Sequence, residues 1–183
     1  RARLRREALM IQLREYDPDW PRAFERAAAE LRRIEPGWLV EHLGSTSVPD
    51  LVAKPVIDLA IRVADRADVD AHANQLESEG WVRNHDGPPS QVTYLKHGAD
   101  GEVTHIAHFY PVAIWEDANQ RIFRDWLRQH PEDRERYAET KRRAAIAAES
   151  GLDYTLRKTA VIQEITDRAR AARGLPSVDV WEI

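Results

Sequence analysis

The segment from Glu41 to Asp58 combines residue types that handle phosphate groups. It reads EHLGSTSVPDLVAKPVID, in which one glycine precedes three hydroxyl residues: Gly44, Ser45, Thr46 and Ser47. A glycine lets the backbone approach a phosphate closely, and exposed N–H groups and hydroxyls donate hydrogen bonds to anionic oxygens. The spacing therefore favours a phosphate-binding turn.

Two charged residues follow this turn. Lys54 adds a positive charge, and Asp58 lies in the apolar run 55–63, where a carboxylate is costly to bury unless it binds a cation or accepts hydrogen bonds. A phosphate-bound Mg²⁺ satisfies that requirement. The alternative interpretation is a simple helix cap at the turn, with Asp58 bonded to backbone amides. The combination of turn, lysine and strand carboxylate favours nucleotide handling over the cap.

Hydrophobic periodicity predicts the elements that must position these residues. Apolar residues at helical spacing from Phe24 to Ile34 predict an N-terminal helix. Five extended segments are expected, the last two as a hairpin: 38–40, 55–63, 81–83, 91–97 and 102–110. Further helices are expected over 67–79, up to His130, over 137–148 and over 154–172. This order predicts an α+β fold: a mixed sheet of about five strands with an N-terminal helix and a helical C-terminal third.

The composition predicts one domain. Of 183 residues, 43% are hydrophobic and 32% are charged, as is typical of a globular protein with a single core. Residues 1–9 are interpreted as a basic extension or an expression-derived segment, because Met10 begins a run that reads like a natural start. The domain is expected over residues 10–173, and the chain is expected to leave the fold as a C-terminal tail over 174–183.

The composition also excludes several kinds of site. There is no cysteine, so disulfides, thiolate metal sites and cysteine nucleophiles are absent from the sequence. The net charge of -4 argues against a duplex nucleic-acid partner. No apolar run approaches the roughly 20 residues that span a bilayer, so no membrane partner is expected. We expect a cytoplasmic protein, and the sequence does not indicate its oligomeric state.

Several separated motifs resemble one family. The run EHLGSTSVPDLVAKPVIDLAI resembles the signature of the GrpB family, a branch of the polymerase-β-type nucleotidyltransferase superfamily. The resemblance continues in YDPDWPRAFERAAAEL, HIAHFYP, IFRDWLRQHPEDRERYAETKR and DYTLRKTAVIQEI. Together these motifs cover about residues 10 to 170, in the family order.

The resemblance implies roles for the residues of the first motif. Gly44 and Ser45 are expected against nucleotide phosphates, and Asp58 is expected as the first of two metal-binding carboxylates. The second carboxylate belongs at position 60, where this chain has Ala60. Strand alternation places residue 60 on the same face as Asp58, so one metal ligand is missing from its usual place. This absence argues against a standard two-metal site.

Four residues are candidates for the missing ligand: Glu41, Glu102, His105 and His108. In a regular strand, His108 shares a face with Ile106 and Tyr110, whereas His105 points the other way. His108 is the favoured candidate because it matches the family histidine in this strand. It is expected either to bind the metal or to accept a proton, against the alternative of a purely structural histidine.

The helical third supplies further cations. Arg124, Lys141 and Lys158 match family positions and are expected to contact the phosphates from the side opposite the turn. The alternative for helix arginines is a solvated, salt-bridged face, and Arg142 and Arg143 are interpreted in that way.

These residues lead to one functional hypothesis and two alternatives. The first is an enzyme that binds a nucleoside triphosphate with Mg²⁺ and transfers the nucleotidyl group to a small-molecule acceptor. The alternatives are a non-catalytic nucleotide or phosphometabolite-binding module and an accessory domain to a coenzyme A pathway kinase. The expected catalytic residues are Asp58, Lys54 and His108, with Asp58 and His108 as metal ligands. The expected phosphate-binding residues are Gly44, Ser45, Thr46, Ser47, Arg124, Lys141 and Lys158.

Overall fold

A computed structural model describes residues 11–180, so the predicted segment 1–9 lies outside the described residues. The helices are α1 (Trp20–Ile34), α2 (Arg66–Ala71), α3 (Ala73–Ser78), α4 (Asn119–Gln129), α5 (Pro131–Ala147) and α6 (Gly151–Ala171). The strands are β1 (Leu39–Leu43), β2 (Ile57–Val63), β3 (Val82–Asn84), β4 (Val92–His97) and β5 (Val103–Pro111). Short 3₁₀ turns cover Ser45–Ser47 and Val112–Ile114. The α+β fold predicted from the sequence is confirmed.

The five strands form one mixed sheet in the order β1-β2-β5-β4-β3. The β2–β5 pair is parallel, and the other neighbours are antiparallel. The predicted hairpin is the antiparallel β4–β5 pair. In the parallel pair, Asp58 lies beside Ile106 and Ala60 lies beside His108. The central strands therefore bring the strand carboxylate and the family histidine to the same part of the sheet.

One face of the sheet packs on the N-terminal helix. Alternate residues of β2, such as Leu59 and Ile61, are fully buried in a core with Phe24 and Leu31 of α1. The sequence builds this layer because α1 places its apolar residues along one side, which matches the apolar face of the strand.

On the opposite face of the sheet, Leu43 and Ala60 pack with Trp115 and Ala118, α4 contacts β1, and α4, α5 and α6 pack against the loop that follows β1. Phe123, Tyr137 and Ile165 from these helices form a second core with Val48 and Leu51, which follow the glycine turn. Asp58 and Ala60 are two residues apart on β2 and therefore face this side. The site predicted from the sequence lies between the sheet and the C-terminal helices.

The predicted helix over 67–79 is broken in two at His72. The ring Nδ1 of His72 lies 2.8 Å from the carbonyl oxygen of Asp68, which is the acceptor that a continuing α-helix needs. The backbone N–H of His72 bonds to Val69 instead. A side chain competing for a backbone carbonyl thus explains a break that periodicity did not predict.

The sequence predicts a C-terminal tail over 174–183, and in the structure the residues up to Val180 lie against α6. Gln163 of α6 donates to the carbonyl of Val178 at 2.9 Å and accepts from the N–H of Val180 at 3.0 Å. Val180 is 5% exposed and packs in the second core. This segment packs against α6 because Gln163 forms two hydrogen bonds with its backbone and because Val180 contacts the apolar residues of the second core. The domain boundary at residue 173 remains a prediction.

No helix within residues 11–180 is both long and apolar enough to cross a membrane. The longest of them, α6, has 21 residues but carries charged side chains along its whole length.

The turn after β1 requires glycine at position 44. Gly44 has φ 71° and ψ -174°, a conformation that is essentially restricted to glycine. A Cβ atom at this position would lie 2.3 Å from Oδ2 of Asp58, far inside van der Waals contact. Gly44 therefore permits both the turn and its close approach to the strand carboxylate.

Gly44→Ala is expected to destabilise the fold more than Gly101→Ala. Both glycines have positive φ, but a Cβ at Gly101 meets no atom within 4 Å. Gly101→Ala is expected to cost about 1–2 kcal/mol from its backbone conformation alone, and Gly44→Ala is expected to cost at least about 1 kcal/mol more from the clash with Asp58. Urea unfolding of both variants measures the difference. Equal losses of unfolding free energy would show that the contact with Asp58 is not tight.

Candidate nucleotide site

The hydroxyls of the glycine turn have different surroundings. Ser47 Oγ donates to the carbonyl of Gly44 at 2.6 Å, and Thr46 Oγ1 donates to the carbonyl of Val56 at 3.3 Å. Both residues are buried, so these hydroxyls hold the turn in shape. Ser45 is partly exposed and lines the cleft above Asp58. Gly44 and Ser45 are thus the turn residues best placed to meet a ligand.

Asp58 and His108 form a hydrogen-bonded pair. His108 Nε2 lies 3.1 Å from Asp58 Oδ1, and the other carboxylate oxygen, Oδ2, lies on the side of Gly44. The His108 side chain is 8% exposed, and its Nδ1 is buried without a hydrogen-bond partner. With Nε2–H donating to the carboxylate, Nδ1 is left as an acceptor. The pair resembles a carboxylate that orients a histidine for proton transfer.

His105 lies on the opposite face of β5, as strand alternation predicts. Its Nδ1 is 2.9 Å from Thr104 Oγ1, and its ring packs edge-on against Trp81 beneath α1. Burial and the charge of Lys96 lower the pKa of His105. Glu102, another candidate ligand, is exposed in the β4–β5 turn. Neither residue shares the cleft with Asp58.

Three lysines converge on the cleft from different parts of the chain. Lys54 precedes β2, Lys141 lies on α5 and Lys158 lies on α6; we call them the lysine cluster. The Nζ atoms of Lys54 and Lys158 lie 4.6 Å and 4.3 Å from the ring centre of Tyr154. Lys141 is 3% exposed, and its Nζ donates to the carbonyl of Val52 at 2.5 Å. The sequence prediction placed all three lysines in this site.

The lysine cluster has little compensating negative charge. Burial lowers the pKa of all three amines, and it lowers the pKa of Lys158 to about 8 with a further contribution from Lys54. The negative charge of Asp58 raises the pKa of Lys141 and Lys158 in part. Asp58 is, however, the only carboxylate among the residues that line this cleft. Desolvated cations facing one carboxylate favour a bound anion.

The cleft is large enough for phosphate groups. Its main part has a volume of about 430 Å³ between the glycine turn, the lysine cluster and β5. A smaller pocket of about 170 Å³ adjoins it and shares Ser45, Asp58 and Lys158. Apolar side chains of the second core, including Phe123 and Leu127, line the smaller pocket.

Glu41 occupies the strand position opposite Ala60 but is already paired. Its carboxylate accepts from Arg121 at 3.1 Å and from Arg124 at 2.9 Å. Burial raises the pKa of Glu41, but the hydrogen bonds from the two arginines outweigh it and leave the pKa lowered. Glu41 is therefore committed to an ion-pair network that ties β1 to α4.

Arg124 is part of this ion-pair network. Its guanidinium also donates to the carbonyl of His42 at 2.9 Å and to Asp125 at 2.8 Å, and its side chain is buried. These contacts give it a role in positioning β1. Arg124 also lines the smaller pocket with Gly44 and Ser45, and its phosphate-binding role stays a prediction. Sequence reasoning missed Arg121, although its spacing of three residues from Arg124 on α4 was an available signal.

The donor set fits a magnesium ion that arrives with a nucleotide. Within residues 11–180, no group of three His, Asp or Glu side chains could hold a metal ion. Asp58 offers one carboxylate, and Mg²⁺ is often held by one or two carboxylates together with substrate phosphates and water. The lysine cluster lines the same cleft as Asp58. The chain fits a metal shared with its ligand and does not fit a permanent protein-only metal centre.

Comparisons with known proteins match this arrangement. The GrpB protein family matches residues 10–168. A UPF0157 protein of Halalkalibacterium halodurans is 37% identical over 164 residues, which cover 88% of this chain and 83% of the relative. The crystal structure of the conserved protein GrpB from Enterococcus faecalis has a TM-score of 0.79 at 32% identity, covering 89% of this chain and 99% of that chain.

A more distant structure shows the wider fold. Terminal uridylyl transferase 4 from Trypanosoma brucei, solved with bound dUTP, has a TM-score of 0.54 at 12% identity, covering 84% of this chain and 55% of that chain. At this identity the likeness shows the fold alone. The chain belongs to the GrpB family, and its fold is that of the nucleotidyltransferases.

Proposed function

We propose that this protein binds a nucleoside triphosphate with Mg²⁺ and transfers its nucleotidyl group to a small-molecule hydroxyl acceptor. The observation that carries the proposal is the convergence of the lysine cluster on Asp58 beside the Gly44–Ser45 turn. A triphosphate supplies the negative charge that this cleft lacks, and the nucleotidyltransferase-like fold supports a nucleotide as its source.

The phosphates bind between the turn and the lysine cluster. The backbone at Gly44 and the hydroxyl of Ser45 approach them from the sheet, because only glycine permits that turn. Lys54 and Lys158 contact them from the helical side, and both stay protonated because the anion stabilises their charged forms. Lys141 is more deeply buried and adds positive charge behind the other two.

His108 accepts the proton of the acceptor hydroxyl. As that oxygen bonds to the α-phosphorus, the bond from the α-phosphorus to the bridging oxygen breaks, and pyrophosphate leaves with the electron pair. The proton moves to Nδ1 of His108, while Asp58 Oδ1 holds Nε2–H and stabilises the charged ring. The lysine cluster stabilises charge that develops on the departing pyrophosphate.

Asp58 Oδ2, together with phosphate oxygens, would hold the Mg²⁺ ion, which supplies further charge neutralisation when it is bound. Asp58 thus has two separate tasks, one for each carboxylate oxygen. The tasks are compatible because Oδ1 is directed to His108 and Oδ2 to the glycine turn.

A second candidate function is nucleotide binding without transfer. Ala60 favours it, because the second carboxylate of the superfamily site is missing and Glu41 opposite it is fixed by arginines. The unpartnered Nδ1 of His108 favours transfer, since a simple phosphate sensor does not need a buried basic nitrogen beside Asp58.

Asp58→Asn is expected to reduce nucleotidyl transfer by about 100-fold or more and to weaken Mg²⁺-dependent binding strongly, because the neutral amide lacks the negative charge that stabilises both the protonated ring of His108 and the ion. The assay incubates the protein with each α-labelled triphosphate, Mg²⁺ and a pool of small molecules, and follows pyrophosphate and labelled product. Asp50→Asn is the matched control, since the Asp50 side chain is 81% exposed.

Two results would decide against transfer. Measurable nucleotide binding with no pyrophosphate release under any condition would leave only the binding function. Unfolding of Asp58→Asn, with no nucleotide affinity in the unaltered protein, would make Asp58 a structural residue.

Nucleotide affinity is expected to fall as the pH rises through about 8. The free protein binds a triphosphate best with Lys158 protonated, and burial lowers the pKa of this amine to about 8. Above that pH, a proton must be taken up on binding, so affinity decreases by up to about tenfold per pH unit. Lys158→Arg keeps its charge and should show a shallower dependence.

Calorimetric titration of both proteins at pH 7, 8 and 9 measures this dependence. A flat profile for the unaltered protein, or the same slope in Lys158→Arg, would contradict the assigned role of Lys158.

A further inference from the structure

A second groove lies next to His108, on the side away from the lysine cluster. It has a volume of about 510 Å³ between β4, β5 and the loop 85–91. Its polar lining comes from Asn84, Asp86, Gln91, Thr93, His108 and Gln120. Leu95 and Ile106 line both this groove and the cleft that contains Asp58 and the lysine cluster, which we call the phosphate cleft. The two spaces therefore adjoin each other.

Three buried side chains of this groove carry polar atoms without a partner. They are Gln91 Oε1, Thr93 Oγ1 and His108 Nδ1, on residues that are 5%, 4% and 8% exposed. Thr93 lies directly opposite His108 in the β4–β5 ladder, so the two side chains share a sheet face. Buried polar atoms are normally paired, which makes such a group an indication of a missing hydrogen-bonding ligand.

The charge of the groove differs from that of the phosphate cleft. Asp86 is the only Asp, Glu, Lys or Arg among its lining residues, whereas the cleft is lined by three lysines. An anionic ligand in the groove would meet no lysine or arginine among the lining residues and would be repelled by the carboxylate of Asp86. Neutral or amine-bearing molecules with several hydroxyls match the amide, hydroxyl and imidazole groups.

Building on the proposed function, we propose that this groove binds the acceptor, and that the acceptor is a small polyhydroxyl compound, neutral or amine-bearing, without phosphate or carboxylate groups. The hydroxyl nearest His108 gives its proton to Nδ1. Its oxygen forms the new bond to the α-phosphorus as pyrophosphate departs with the electrons of the broken bond. Thr93 and Gln91 hold neighbouring hydroxyls of the acceptor.

Acceptor binding can be tested without nucleotide by saturation-transfer NMR. The probes are glucose, inositol and glucosamine, each compared with its monophosphate. Signals are expected from the unphosphorylated compounds and are expected to be at least about tenfold weaker from the phosphates. No signal from any probe, or stronger signals from the phosphates, would overturn the inference.

Thr93→Val removes one hydroxyl of the groove with little change in volume. It should weaken the NMR signals and raise the acceptor KM by about tenfold while leaving nucleotide affinity within about twofold. Thr166→Val is the matched control, because Thr166 on α6 is fully buried with an unpartnered Oγ1 and does not line the groove. Gln91→Leu provides a second groove variant if Thr93→Val fails to fold. Equal effects of Thr93→Val and Thr166→Val would overturn the inference.

Transfer to the same probes separates this inference from the proposed function. Labelled product from the unphosphorylated compounds supports both. Product from the phosphates alone overturns the choice of acceptor and leaves transfer intact. Groove binding that is lost in Thr93→Val, with no product from any probe, supports the groove's ligand class and contradicts transfer.

Discussion

The site depends on three amines, one buried and two half-buried, that line one cleft with a single carboxylate. Lys54, Lys141 and Lys158 come from a loop and two helices, and their pKa values are all lowered by burial. Bringing them together costs electrostatic free energy, which the ring of Tyr154 and a backbone carbonyl offset only in part. The second apolar core compensates by holding the C-terminal helices on the sheet. The same packing that completes the fold therefore builds a cleft with three cationic side chains and one carboxylate.

The excess of positive side chains in the cleft is related to the one departure from the superfamily pattern, the absence of a carboxylate at position 60. With Ala60 at the expected position of the second carboxylate, the sheet presents Asp58 alone to the cleft, and Glu41 is neutralised by two arginines. His108 is hydrogen-bonded to Asp58 at 3.1 Å. The cleft thus combines one carboxylate, Asp58, with three lysine side chains.

Much of this arrangement could be predicted from the sequence, because it depends on regular periodicity. Strand alternation placed His105 and His108 on opposite faces, the resemblance to the family favoured His108, and the motif order indicated the fold. The partner of Arg124 could not be predicted, since Glu41 lies 83 residues away and helix spacing shows a face but not what packs on it. The break at His72 and the return of the chain to Val180 also depend on a few side-chain hydrogen bonds, one at His72 and two from Gln163. The groove beside Thr93 arises from a loop conformation that has no periodic signal.

The most direct measurement is a crystal structure of the protein with Mg²⁺ and a non-hydrolysable nucleoside triphosphate. The account predicts phosphate oxygens within about 3.2 Å of the Nζ atoms of Lys54 and Lys158 and of the Gly44–Ser45 backbone, with the ion on Asp58. A triphosphate bound elsewhere, with the lysine cluster still facing Asp58 alone, would contradict it.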